Sequence, residues 1–270
     1  MIHLRDFSFR YPASDRYALR NVSFDVGDRE IISVIGPSGA GKSTLGYAIA
    51  GLLAKHFRGG VLEGIVELSG NLISADPTRI GYVFQETGVQ LSGITESVAE
   101  EIGFSLEQIG LPEGEIRKRI DEQISIFRLE TLRDRHPGSL SGGESQIVAL
   151  AAEAAKYPEL FILDEPSQAL DARNLRLLRE AVQAWRRSAA VLIIDENNEW
   201  LDGLADRTLF LNDGRQVFFG PFQELVNSHL DLAGLDLPSW IEIQRLLHRH
   251  TVTTSYRQSL RWLKSFPTSH

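Results

Sequence analysis

Nine consecutive residues, Gly36-Pro37-Ser38-Gly39-Ala40-Gly41-Lys42-Ser43-Thr44, limit what this chain can fold into more than any others. They follow the apolar run Glu30 to Ile35 and precede Leu45-Gly46-Tyr47-Ala48-Ile49-Ala50-Gly51, so the local order is strand, glycine-rich turn, helix. In that context G-x-x-x-x-G-K-[ST] is a phosphate-binding loop. Its glycines let backbone N–H groups converge on phosphate oxygens, and the helix N-terminus adds positive potential. Lys42 is expected to reach the β- and γ-phosphates of a nucleotide, and Ser43 to offer its hydroxyl to Mg²⁺.

The rest of the chain is what one nucleotide-binding domain with a modest appendage requires. Its 270 residues are 43% hydrophobic and 24% charged, enough for a large core. Cysteine is absent, which excludes disulfides, thiolate chemistry and cysteine-ligated metals. With 28 basic against 36 acidic residues the net charge is −8, which argues against nucleic acid as the main partner. Met1 to Asp6 has no apolar signal core, and no stretch approaches the ~20 apolar residues that span a bilayer. Any membrane role is therefore expected to come through a membrane-embedded partner.

Residues 2–10 and 18–26 alternate apolar and polar and read as half-buried strands, with Arg10-Tyr11-Pro12 in the loop after the first. Gly64 to Gly70 reads as a further hairpin strand, and Arg79 to Gln85 as a short buried strand that delivers Gln85 at its end. From Glu86 to about Tyr157 the pattern turns helical, over Thr95–Ile102, Glu113–Phe127 and Glu144–Ala155, and is expected to form a separate helical subdomain. Strands at Leu160–Leu163, Ala190–Ile194 and Thr208–Leu211, with a helix over Asn174–Arg187, imply a mostly parallel sheet covered on both faces. Residues 221–270 have helical spacing (Trp240, Ile243, Leu246, Leu247) and no chemical motif.

A strand ending in Asp164-Glu165 places two carboxylates at the sheet edge where ligands of open α/β sheets bind. Asp164 is expected to hold Mg²⁺ and Glu165 to orient and deprotonate the attacking water, with Gln85 bringing an amide to metal and water. Ser141-Gly142-Gly143 opens a helix and so forms a second anion site of hydroxyl and backbone N–H groups.

Leu140-Ser141-Gly142-Gly143-Glu144, then Phe161-Ile162-Leu163-Asp164-Glu165-Pro166, then Ser167-Gln168-Ala169-Leu170-Asp171 resemble the signature, Walker B and D-loop motifs of ATP-binding cassette (ABC) ATPases. With the phosphate loop, the resemblance covers residues 2 to about 220. It implies a P-loop ABC fold with a parallel sheet core, an antiparallel β-subdomain and a helical signature subdomain. It also implies a head-to-tail pair of cassettes, each ATP held between the Walker motifs of one and Ser141, Gly142, Gly143, Glu144 and Asp171 of the other. Tyr11, 25 positions before Gly36, matches the family's adenine-stacking aromatic; packing on the core is the other reading, with Tyr17 as the fallback.

Phe84 to Phe104, with Gln90 as a second glutamine after Gln85, is similar to the ATPases of energy-coupling-factor (ECF) importers of vitamins and metals, as is Phe219 to Leu225 followed by Leu235 to Pro238. That likeness implies a cassette at the cytoplasmic face of the membrane that drives a transmembrane partner; the ATPase of another ABC transporter class is the alternative. Three positions depart from the family pattern. Glu196 stands where a His is usual, ten residues before Asp206, and a carboxylate there would face the γ-phosphate with like charge. The site is then slow and regulatory, or Asn197 or Asn198 substitutes, or Glu196 turns to solvent. Ile147 replaces an Arg of the signature helix and Ala172 a Pro after the D-loop.

Overall fold

The strands at the centre read as unbroken apolar runs because both of their faces are covered. In the computed structural model, which describes residues 2–73, 78–86, 88, 90–196 and 199–228, Ile31–Ile35 (β3), Leu160–Asp164 (β7) and Ala190–Ile194 (β8) lie side by side. Ile80–Val83 (β6) flanks β7, and Arg207–Asn212 (β9) flanks β3, all of them parallel. Alternation decides which face each residue serves. Ile31, Val191, Ile193, Phe161 and Leu163 join one apolar cluster, and Ile32, Val34, Leu192, Ile194 and Ile162 join the other.

The sheet extends on the β9 side through Arg215–Gly220 (β10) into an antiparallel layer. That layer comprises Leu19–Val26 (β2), Ile2–Arg10 (β1), Val61–Leu68 (β4) and the two-residue Asn71–Leu72 (β5). The full order is β5-β4-β1-β2-β10-β9-β3-β8-β7-β6. The helix Lys42–Ile49 (α1) and the short Leu52–His56 (α2) follow the glycine-rich turn, and Leu45, Ile49 and Leu53 fill the second cluster.

Helices Val98–Gln108 (α3), Glu113–Ile126 (α4) and Gly142–Ala155 (α5) pack on one another on the opposite face. Their apolar residues, Ile102, Leu106, Ile116, Ile124 and Val148 among them, run without a break into the cluster beneath β7 and β8. Ala172–Trp185 (α6) completes that layer, with Trp185 stacked on Phe161 at 3.9 Å, and Phe222–Val226 (α7) follows β10.

Several elements differ from the sequence expectation: α6 begins at Ala172 rather than Asn174, α2 and β5 were not expected, and two further differences have a local cause. α3 begins at Val98 rather than Thr95, because Ser97 caps it by accepting the Glu100 N–H, while buried Glu101 holds Ser92 and Thr95 in the preceding loop. β10 was not expected. It pairs with β9 through a turn in which Asp213 and Gly214 both have positive φ (46° and 71°), the geometry of a tight hairpin. Asn197, Asn198 and the tail positions Leu235, Trp240, Ile243, Leu246 and Leu247 lie outside the described residues.

Candidate functional site

The phosphate loop leaves the end of β3 and winds back to start α1, and two of its glycines are demanded by close packing. A Cβ on Gly36 would sit 2.2 Å from Leu211 O, and one on Gly41 (φ 98°) would sit 2.5 Å from Ala18 O. Between them Ser38 and Gly39 are exposed, with Pro37 half-buried and Ala40 inside. Lys42 is buried, and its ammonium folds over the loop, donating to Gly36 O (2.7 Å) and Pro37 O (3.1 Å). Glu196 Oε1 lies 3.4 Å from the same Nζ.

β7 carries the carboxylates to the C-terminal edge of the parallel strands, beside this loop. Asp164 is 1% exposed; its Oδ1 accepts from Ser43 Oγ (3.1 Å) and its Oδ2 from Tyr82 OH (3.0 Å). Burial pushes its carboxyl up, against the opposing pull of those two hydroxyls and the Lys42 charge. Glu165 takes a left-handed backbone (φ 49°), its N–H donating to Ile194 O at 2.7 Å, a conformation that L-residues adopt at some cost in free energy. Burial, then the charges of Glu196 and Asp164, raise the Glu165 carboxyl above its ordinary range. Gln85 Nε2 donates to Glu165 Oε2 (3.0 Å) and lies 3.5 Å from Gln168 Oε1.

Hydrogen bonds and ion pairs thus join Lys42, Ser43, Asp164 and Glu196 around the loop, and Gln85 to Glu165. Ser141, Gly142, Gly143 and Glu144 stand apart at the start of α5. The Ser141 hydroxyl accepts the Glu144 N–H, Glu144 accepts the Ser141 N–H at 2.7 Å, and Arg135 pairs with Glu144 at 3.2 Å. Those bonds hold Glu144 below the usual carboxylate range and leave Ser141 and Gly142 exposed. A Cβ on Gly143 would come within 2.8 Å of Ala169 O, so the turn packs on the loop that leads to Asp171. Asp171 caps α6, accepting the N–H groups of Arg173 and Asn174.

Tyr11 reaches the loop by its hydroxyl, 3.0 Å from Thr44 Oγ1, while its ring meets those of Phe9 and Phe57 edge-on at 4.9 Å each. Tyr17 donates to Glu63 instead.

The family model for ABC transporters matches residues 19–168. This chain belongs to the ABC transporter ATP-binding family. The cassette is 33% identical over 247 residues to the energy-coupling factor transporter ATP-binding protein EcfA1 of Geobacillus kaustophilus, covering 88% of this chain and 85% of that one. It is 31% identical over 251 residues, 90% and 88% of the two chains, to a provisionally assigned ABC transporter ATP-binding protein of Pyrococcus horikoshii. Among solved structures it resembles cbiO1 of Clostridium perfringens, part of the ABC transporter complex cbiONQ, at 25% identity and a TM-score of 0.71 over 90% of this chain and 98% of that one. It also resembles a dimeric ATP-binding cassette in a post-hydrolysis state with ADP and Pi, at 26% identity and a TM-score of 0.69 over 82% and 98%. As an ABC ATPase it binds and hydrolyses ATP.

The cassette contains two site residues that its motifs did not reveal. Tyr82 sits on buried β6 and uses its hydroxyl on Asp164; a Tyr in an apolar strand needs such a partner, which is the signal that could have found it. Asp195, beside Glu196, is 3% exposed and accepts from Ser167 Oγ (2.9 Å) and Trp200 Nε1 (3.0 Å), tying the end of β8 to the D-loop. Among the described residues no helix is long and apolar enough to cross a membrane.

Proposed function

We propose that this ABC ATPase energises an importer of the ECF type for a vitamin or transition-metal ion, as one half of a head-to-tail pair of cassettes at the cytoplasmic face of the membrane. The observation that carries the pairing is the division of the site. Lys42, Ser43, Asp164 and Glu196 gather round one loop, with Gln85 bonded to the adjacent Glu165, whereas Ser141 and Gly142 form an exposed helix start hydrogen-bonded to its own cap. Such a turn offers free N–H groups to an anion brought by another molecule. Relatives named as ECF transporter ATP-binding proteins, at 31–33% identity, support the importer class.

In this reading the triphosphate lies along the backbone N–H groups of Gly36 and of Ser38 to Thr44 with Lys42 on its terminal phosphates, and Tyr11 lies near the adenine. The residues present fit Mg²⁺. Ser43 Oγ and Asp164 Oδ1 converge at 3.1 Å, both are hard oxygen donors, and Asp164 is a buried carboxylate that a cation stabilises. Bound there, with Gln85 beside it, Mg²⁺ would neutralise developing charge on the phosphates. Glu165, its Oε2 held by Gln85, accepts a proton from the attacking water. Extraction of membranes with detergent followed by capture of this chain tests the assignment: an integral membrane protein and a cassette are expected in the complex, and nucleic acid in their place would refute it.

A second reading is favoured by one contact, the approach of Glu196 to Lys42. It makes this chain a slowly hydrolysing regulatory cassette, paired with an active one. Turnover that rises in the complex carrying Glu196→His favours it, and unchanged turnover removes it.

A further inference from the structure

Among the described residues the outer edge of β6 is closed by side chains rather than by another strand. The amide of Gln90 donates from Nε2 to Tyr82 O (2.8 Å) and accepts at Oε1 from the Phe84 N–H (3.0 Å), the pair of bonds that a parallel neighbour would make around Val83. The remaining donor, the Tyr82 N–H, is taken by Glu153 Oε2 at 3.1 Å, and Glu153 Oε1 lies 3.4 Å from Gln90 Nε2. The Glu153 side chain is 14% exposed, and Lys156, 7% exposed, supplies the counter-charge at 2.5 Å. A largely buried carboxylate costs free energy unless it is paired and hydrogen-bonded, and every bond this one makes holds the edge beside Gln85 or its own lysine.

Glu153 belongs to α5, the helix whose first turn carries Ser141, Gly142 and Gly143. We propose that Glu153 is a positioning residue for ATP hydrolysis. Through Gln90 it fixes where the chain leaves β6 at Phe84, and so where Gln85 meets Glu165. Any displacement of α5 is then felt at the Gln85–Glu165 contact, 3.0 Å long in this state, because one rigid helix carries both the exposed turn and the carboxylate. The inference rests on reading Gln85 and Glu165 as the pair that handles the attacking water.

Steady-state ATP turnover of the full-length chain, in the complex extracted with it, tests this in a double-mutant cycle. Glu153→Ala is expected to lower kcat about tenfold with KM for ATP changed less than about twofold. In a Gln85→Ala background the same substitution is expected to cost nothing further, which a merely structural role would not produce. Gln90→Leu enters the same contact from the other side and serves if Glu153→Ala does not fold. Equal losses in both backgrounds, or a raised KM at unchanged kcat, overturn the proposal. A Gln85→Ala protein indistinguishable from the parent overturns the hydrolytic reading of Gln85, and this inference with it.

Discussion

Glu196 Oε1 lies 3.4 Å from Lys42 Nζ, the ammonium that also donates to Gly36 O and Pro37 O of the glycine-rich loop. In the proposed binding mode an arriving γ-phosphate has to displace this carboxylate and then sit near it. Because Glu196 is half exposed, the ion pair contributes no more than about 1 kcal/mol. Removing the charge is therefore expected to tighten ATP binding modestly. The Glu196→Gln variant should bind ATP up to about fivefold more tightly in equilibrium titration, with the gain shrinking as salt rises. Weaker binding would mean that Glu196 serves the nucleotide rather than opposing it.

Glu165 is half-buried and hydrogen-bonded by Gln85, an environment that suits the base for water proposed above. Glu165→Gln keeps its shape and removes its basicity. Turnover is expected to fall at least ~100-fold while ATP still binds and accumulates in the complex. Loss of nucleotide binding in step with turnover would assign Glu165 to the architecture of the loop.

The phosphate loop also allows a steric comparison. A methyl group on Gly36 would press on Leu211 O at 2.2 Å, whereas one on Gly39 meets nothing within 4 Å and strains only the backbone (φ 77°). Urea unfolding should show Gly36→Ala losing about 1–3 kcal/mol, with ATP binding abolished. Gly39→Ala should lose about 1–2 kcal/mol and keep its fold. Equal and small losses would contradict the close approach of the loop to β9.

Away from the site, Arg207 grips Glu30 with bonds of 2.5 and 2.6 Å, and the Gly27 N–H adds a third at 2.7 Å. Burial alone would raise the Glu30 carboxyl; these bonds outweigh it and hold the group below its ordinary 4.5. A depressed carboxylate stabilises the fold above its unfolded pKa, and that stability is lost as pH falls through the folded value. At neutral pH Glu30→Gln should melt lower than the parent, and the gap should close as pH drops below 4.5. A gap independent of pH would show that shape rather than charge holds Arg207.

The parallel strands and the phosphate loop were legible because their chemistry is local: an unbroken apolar run, a glycine-rich turn and a helix follow one another in nine to twenty residues. β10 was also legible in principle, since Asp213-Gly214 is a hairpin signal, but Arg215 to Gly220 is only partly apolar and lacks a clean alternation of apolar and polar residues. Glu153, Gln90 and Tyr82 could not be assembled from sequence, because their meeting depends on the free edge of β6 facing α5. The Tyr11 ring shows the same limit. Its position matched a family pattern, while its packing on Phe9 and Phe57 depends on a fold contact 46 residues away in the chain.

The shared nucleotide is the central claim, and the absence of cysteine makes it directly measurable. A Ser141→Cys variant gives this chain a single thiol, whose rate of labelling by a maleimide can be followed in the full complex carrying Glu165→Gln. ATP is expected to slow labelling about tenfold or more as the partner's nucleotide covers the first turn of α5. Labelling at the same rate with ATP bound at the phosphate loop would contradict the account.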